Sequence, residues 1–268
     1  MNPIALVVFI AFVFVWYFPV WLRQGMKNRL PKGTVFKSIA LGFVPGFLAI
    51  IVFQILFGYA ERKLNLSGTA YYAVDSFICA ALTEELIKFF AARLIIRKVE
   101  PKRKVDYALV FGAVGLGYEA VETFLGLDSV WAGIIRGVFA LHIIWQLWMG
   151  LFYWEYRQAK ERGDRAGVKK NLALVFLVPI FFHGMNDFLA FMAEDRLQAM
   201  NAAALPENFM TGTSLAPEAE AAAVWFLILF GFMIVQLVYQ IVTFRMALKT
   251  AKQSRAADAA AEPAEGEA

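Results

Sequence analysis

Apolar runs of about twenty residues, separated by short charged blocks, set the rhythm of this chain. A hydrocarbon core ~30 Å thick takes ~20 helical residues to cross. Seven stretches meet that length: 3–22, 35–58, 70–92, 106–126, 130–153, 171–193 and 221–244. All are predicted as helices, because a lone strand in lipid leaves its backbone polar groups unpaired. The pattern predicts an all-α, polytopic transmembrane bundle over 1–248. Segment 194–220, with Pro206, Gly212 and Pro217, is expected to be an extracytoplasmic loop that covers a site, presents substrate or simply connects two spans. From 249 to 268 the chain is rich in Ala, Glu and Lys, and a disordered cytoplasmic tail is expected.

The charged blocks give the orientation. Arg23, Lys27, Arg29 and Lys32 follow the first span; Arg93, Arg97, Lys98, Lys102, Arg103 and Lys104 follow the third; Arg157, Lys160, Arg162, Arg165, Lys169 and Lys170 follow the fifth. The intervening connections are neutral or acidic, with Asp128 in one and Glu194, Asp195, Glu207, Glu218 and Glu220 in another. Positive loops lie inside, so the N-terminus is expected outside and the C-terminus in the cytoplasm. The first span lacks a basic n-region and a small-residue cleavage site, so a retained helix is expected rather than a signal peptide. Small residues four apart at Gly42/Gly46, Ala113/Gly117 and Gly133/Gly137 predict close helix approaches.

Composition agrees with this picture. Apolar residues make up 60% of the chain, aromatic ones 16% and charged ones only 18%, with 26 Phe. The net charge of +4 is explained by topology, so no nucleic-acid partner is expected. A single cysteine, Cys79, excludes both a disulfide framework and a thiolate metal cluster within the chain.

Ionisable residues inside the spans carry the candidate chemistry. A charge at the bilayer centre costs ~2.5–3.5 kcal/mol, so such groups are expected to face one another inside the bundle. The third span holds Glu84, Glu85 and Lys88, the fourth Glu119 and Glu122, the fifth Arg136 and His142, and the sixth His183, Asn186 and Asp187. Both histidines of the chain fall within apolar spans. Helix rise places Glu84, His142 and His183 roughly 21, 18 and 15 Å below the outer ends of their spans, and Glu122 roughly 6 Å below its own. Lys88 is spaced to pair with Glu84 at i+4 and Glu85 at i+3. Arg136 is placed to snorkel or to meet Asp128, and Glu119 to support Glu122.

Hydrolysis is the reaction such a set can run. A desolvated carboxylate takes a proton from water, a nearby histidine orients that water or shares the proton, and a second histidine with an amide or acid stabilises an oxyanion. Gly-x-Ser-x-Gly and His-Glu-x-x-His are both absent. A metal-free site is the preferred expectation; zinc on Glu122, His142 and His183 is the alternative, since two histidines and a glutamate form a workable zinc set. Buried Glu, Lys and His also suit a proton-coupled transporter, though no inverted repeat is visible. A non-catalytic scaffold is the third class. Its seven-helix layout is shared with retinal proteins, but 221–244 lacks a lysine for a Schiff base.

Glu84-Glu85-x-x-Lys88 resembles the Glu-Glu-x-x-Lys signature of the PrsW family of intramembrane proteases. Phe111 to Tyr118 followed by Glu122 is similar to that family's glycine-rich helix, Arg136, His142 and Gly150 to its next motif, and His183 to Asp187 to its last. That last motif is shared with the wider CAAX-protease and bacteriocin-processing superfamily. Thr123 stands where the family usually has Asn, and Val138 where the superfamily usually has Phe. The resemblance spans about 75–190, within a catalytic core of about 70–193. It implies an intramembrane endopeptidase, metal-dependent or glutamate-dependent, in a bacterial cytoplasmic membrane. Its partner would be a membrane-anchored protein substrate of the anti-sigma-regulator type. Glu84 or Glu85 would activate water with His142 assisting, Glu122 would complete the site, and His183 with Asn186 or Asp187 would form the oxyanion side, with Lys88 in support.

Overall fold

A computed structural model describes residues 3–23, 30–126, 138–139, 141–203 and 216–260. Every element among them is helical: α1 (Pro3–Arg23), α2 (Lys32–Leu64), α3 (Gly68–Val74), a π-helical segment (Asp75–Leu82), α4 (Thr83–Val99), α5 (Lys104–Gly126), α6 (Leu141–Glu161), α7 (Arg165–Ala203) and α8 (Ala216–Ala260). Helices fall on all seven expected spans, the fifth described from residue 138 onward. By length and composition, two stretches among the described residues can each cross a membrane, Arg165–Gln198 and Glu220–Ala260. The helices from Thr83 to Glu161 carry more charge, because they hold the polar groups discussed below. Arg136, Asp128 and Gly133/Gly137 lie outside the described residues.

Two expectations are corrected. Segment 194–220 is not a loop throughout: α7 continues to Ala203 and α8 starts at Ala216. The tail is not disordered from 249, since α8 runs on to Ala260. The Ala, Lys, Gln and Arg residues of 249–260 are strong helix formers. Tertiary contacts secure this extension: Ala251 is fully buried, and Arg103 Nη1 reaches Asp258 at 3.3 Å.

The chain divides into two compact units. The first comprises Met1–Val52, Glu84–Pro179 and Gln240–Ala268. Small residues set its helix spacing. A Cβ on Gly117 would lie 2.9 Å from the Cα of Gly42, so α2 and α5 touch backbone to backbone where the small-residue pairs predict. Gly115 and Gly150 do the same for α5 and α6: a Cβ on Gly115 would come 2.5 Å from the carbonyl oxygen of His142, and one on Gly150 2.6 Å from that of Tyr107. Phe89 anchors an aromatic core, its ring centroid 4.7 Å from Phe176, 5.3 Å from Tyr153 and 5.8 Å from Phe111. Gly163, at φ +70°, ends the α6–α7 connection in a left-handed conformation. Asp164 then accepts the Gly167 N–H at 2.9 Å and caps α7. Trp148 Nε1 donates to the Leu174 carbonyl at 2.8 Å, fixing α6 beside α7.

The second unit comprises Phe53–Thr83 and Ile180–Tyr239. Phe182 stacks on Tyr239 at 4.3 Å, and Phe188 meets Trp225 edge-on at 6.3 Å. Leu227 and Phe230 on α8 are 70% and 63% exposed, a surface that suits lipid better than water.

Glycine contacts of this closeness predict a position-specific sensitivity. Gly150→Leu is expected to destabilise the protein by ~1–3 kcal/mol through overpacking. Gly231→Leu, where a Cβ meets nothing within 4 Å, leaves stability unchanged. Thermal unfolding in detergent compares the two.

Candidate functional site

In the first unit, α4, α5 and α6 bring their polar side chains to one level. Glu84 and Glu85 open α4, Glu119 and Glu122 lie in the last two turns of α5, and His142 lies at the start of α6 as described. The ammonium of Lys88 is their hub. It lies 2.5 Å from Glu85 Oε1, 3.6 Å from Glu84 Oε2 and 2.7 Å from His142 Nδ1, and the residue is fully buried. The Tyr118 ring faces it at 4.0 Å, and Trp145 at 6.0 Å adds a weaker cation–π contact. These rings also meet the His142 imidazole edge-on, at 4.8 and 5.0 Å, and fix its plane.

The two adjacent glutamates occupy different environments. Glu85 is fully buried, with Oε1 on Lys88 and Oε2 accepting from Gln146 Nε2 at 2.9 Å. Gln146 thus closes the side of Glu85 that Lys88 leaves open. Glu84 keeps a side chain 11% exposed, and Glu122 one 32% exposed. Both side chains are thus less enclosed than that of Glu85. Glu119 accepts the backbone N–H of His142 at 3.1 Å, an acidic group where the start of a helix favours one. It secures α6 to α5.

Lys88 also fixes the histidine tautomer. An ammonium only donates, so Nδ1 must accept, and the neutral ring carries its hydrogen on Nε2. Nε2 in turn lies 2.7 Å from Glu122 Oε2, as a donor to that carboxylate. The predicted depth difference between Glu122 and His142 is thereby overturned. The edges of hydropathy runs do not mark a common plane, because helices tilt and differ in length.

In the second unit His183 is buried, and its Nε2 lies 3.2 Å from Asp187 Oδ2, one turn along α7. Asn186 Nδ2 donates to Asp187 Oδ1 at 3.3 Å, so Asp187 holds both neighbours. Gly184 packs against the Phe77 ring, where a side chain would collide. Asp75 is buried on the π-helical segment, and the carboxylate of Asp187 acts on it electrostatically. π geometry inside an otherwise α-helical run recurs at functional sites.

Four residues near these clusters are given no role of their own by the sequence reading. Asp75 carries the same signal as Glu84, an acid within an apolar run. Gln146 is an amide within an apolar run, and Tyr118 and Trp145 look like ordinary packing aromatics until Lys88 is seen between them.

For zinc the donor set is right in kind, offering imidazole and carboxylates. The hydrogen bonds oppose it. A ligating Nε2 needs a lone pair, and the Lys88 contact at Nδ1 places a proton there. Glu84 and His142 each offer a ligand atom, and a metal there would meet His142 at a nitrogen that Lys88 or Glu122 now contacts.

Residues 30–211 match the sequence profile described as PrsW family intramembrane metalloprotease. The chain is similar to Protease PrsW of Clostridioides difficile, 25% identical over 179 residues, which cover 63% of this chain and 72% of that protein. It is also similar to Protease PrsW of Oceanobacillus iheyensis, 28% identical over 146 residues, covering 53% and 65%. No solved structure matches.

The Lys88 hub predicts a strong coupling. Lys88→Met strands two buried carboxylates and is expected to destabilise the protein by ~3–5 kcal/mol. Adding Glu85→Gln recovers most of that loss, and thermal unfolding of both variants in detergent measures the coupling.

Proposed function

The chain belongs to the PrsW family of intramembrane metalloproteases, and from that premise we propose that it is a glutamate-dependent endopeptidase in which Glu84 activates the attacking water. The observation that carries this assignment is the contrast between the two adjacent acids. Glu85 is fully buried, with its oxygens on Lys88 and Gln146, whereas the Glu84 side chain is 11% exposed. Glu84 takes the proton as water adds to the scissile carbonyl. Glu84, protonated by that step, delivers the proton to the leaving amine, while the Glu122–His142 pair orients the attacking water. Glu85 and Lys88 hold the histidine and do not meet substrate.

His183, as an imidazolium whose Nε2–H is held by Asp187, supplies its Nδ1–H to the oxyanion in this reading. Its support is the resemblance of His183 to Asp187 to the family's last motif, together with the Asp187 contact that fixes the ring. The substrate is a membrane-anchored protein, and the anti-sigma type of regulator is the class that the family resemblance favours. The proposed topology has seven spans with the N-terminus outside, so the basic ends of α4 and α6 face the cytoplasm. The host membrane is the bacterial cytoplasmic one.

No step here passes through a metal, because the tautomer of His142 supports a metal-free site. Cleavage of a single-pass substrate by protein purified in detergent tests this. Glu84→Gln is expected to lower the rate at least ~100-fold, while a chelator leaves it within about twofold. Loss of activity with chelator and its return with zinc would refute the metal-free assignment. In the same assay, His183→Ala is expected to cost ~10²–10³ in rate with thermal stability retained. Full activity in that variant removes His183 from the site.

A further inference from the structure

Between the charged ends of α4 and α6 and the first turns of α7, the first unit holds a cavity of about 770 Å³. Its chemistry is layered. Phe89 and Phe90 on α4, Tyr153 on α6, and Leu172 and Phe176 on α7 form an apolar floor. One and two turns further along α4 come Arg93 and Arg97, and along α6 Arg157 and Lys160. The four cations face a single lining carboxylate, Glu161, which Arg157 meets at 3.7 Å. Among the described residues no carboxylate lies within 4 Å of Arg93, Arg97 or Lys160.

From Phe89 to Arg97 the helix rises ~12 Å, so the cationic mouth and the apolar floor lie about as far apart as a headgroup and the first part of its chains. The apolar lining also leads outward: Phe90 and Leu172 are 53% and 41% exposed, and Leu94 beside them is exposed as well. A small soluble anion would satisfy the arginines and leave this apolar exit bare. A molecule with a phosphate at one end and hydrocarbon at the other covers both. Guanidinium groups suit the phosphate, since their forked donors bind its oxygens in pairs.

We propose that this cavity is a binding site for an anionic phospholipid, with its phosphate among Arg93, Arg97 and Arg157 and its acyl chains leaving over Phe90 and Leu172. Basic pockets between membrane helices are a recurrent headgroup site. The site uses none of the residues assigned to peptide hydrolysis, so it stands or falls separately from that assignment. Tyr153 and Phe176 also pack on Phe89 in the core of the unit, which gives a bound lipid a direct effect on stability.

Native mass spectrometry of the protein in neutral detergent, titrated with phosphatidylglycerol, phosphatidylcholine or inorganic phosphate, tests the proposal. Phosphatidylglycerol is expected to bind and to raise the unfolding temperature. Phosphatidylcholine binds at least about tenfold more weakly, and inorganic phosphate does not displace bound phosphatidylglycerol at equal concentration. The Arg93→Gln, Arg97→Gln double variant weakens phosphatidylglycerol binding at least about tenfold, whereas Arg245→Gln with Lys249→Gln does not. If the double variant does not fold, Arg157→Gln alone is read in its place and is expected to weaken binding several-fold. Undiminished phosphatidylglycerol binding in the folded variant overturns the site. Equal binding of phosphatidylcholine overturns the anionic headgroup, and displacement by phosphate alone overturns the lipid.

Discussion

Burying the ammonium of Lys88 is the constraint around which the first unit is built. A lone cation in an apolar bundle is prohibitively costly, and it survives here because oxygen, nitrogen and aromatic faces surround it. Glu85 lies at 2.5 Å, Glu84 at 3.6 Å, His142 Nδ1 at 2.7 Å and the Tyr118 ring at 4.0 Å. Each contact also constrains its partner. The cation commits Glu85, and by occupying Nδ1 it directs the imidazole's remaining hydrogen toward Glu122. One buried charge thereby leaves two adjacent, chemically identical acids in different surroundings, one fully buried and one with a side chain 11% exposed.

That arrangement requires three helices at unusually short spacing, and glycine provides it. At Gly115 the backbone of α5 meets the carbonyl of His142 with no room for a Cβ, in the same region where Glu119 accepts the His142 N–H. Gly150 repeats the approach near the other end of the pair, against Tyr107. A side chain at either position would push α6 outward and lengthen the contacts among Lys88, His142 and Glu122. Packing thus sets the electrostatics, since hydrogen bonds of 2.7 Å cannot be kept across a gap widened by even an ångström. The aromatic core around Phe89, the residue next to Lys88, holds α4, α5, α6 and α7 together where water would otherwise weaken the ion pairs.

Much of this was legible in the residues. Long apolar runs predict the helices that the described residues form, and polar groups within them single out Glu84, Glu85, Lys88, Glu122, His142 and His183 as candidates. Small-residue pairs marked Gly42 and Gly117 as points of close approach, and the structure pairs the two with each other. The readings that failed depended on length or depth rather than residue type. Residues 249–260 have the composition of a solvated tail and also that of a good helix; contacts of Ala251 and Asp258 with distant parts of the chain decide for the helix. Hydropathy edges misplaced Glu122 relative to His142, because the end of an apolar run is not a coordinate.

The sequence by itself determined which chemistry was available: carboxylates, imidazoles and one lysine held where water is scarce, on helices that composition and spacing dictate. Only the tertiary structure decided which of these groups meet. Gln146, Tyr118 and Trp145 are unremarkable letters in an apolar run, and their importance lies in what faces them across three helices. The physical reason is range. Helix formation and hydrophobic burial follow from neighbours within a few turns, whereas a proton's position on His142 depends on atoms 20 and 54 residues away in the chain, brought to 2.7 Å only by packing.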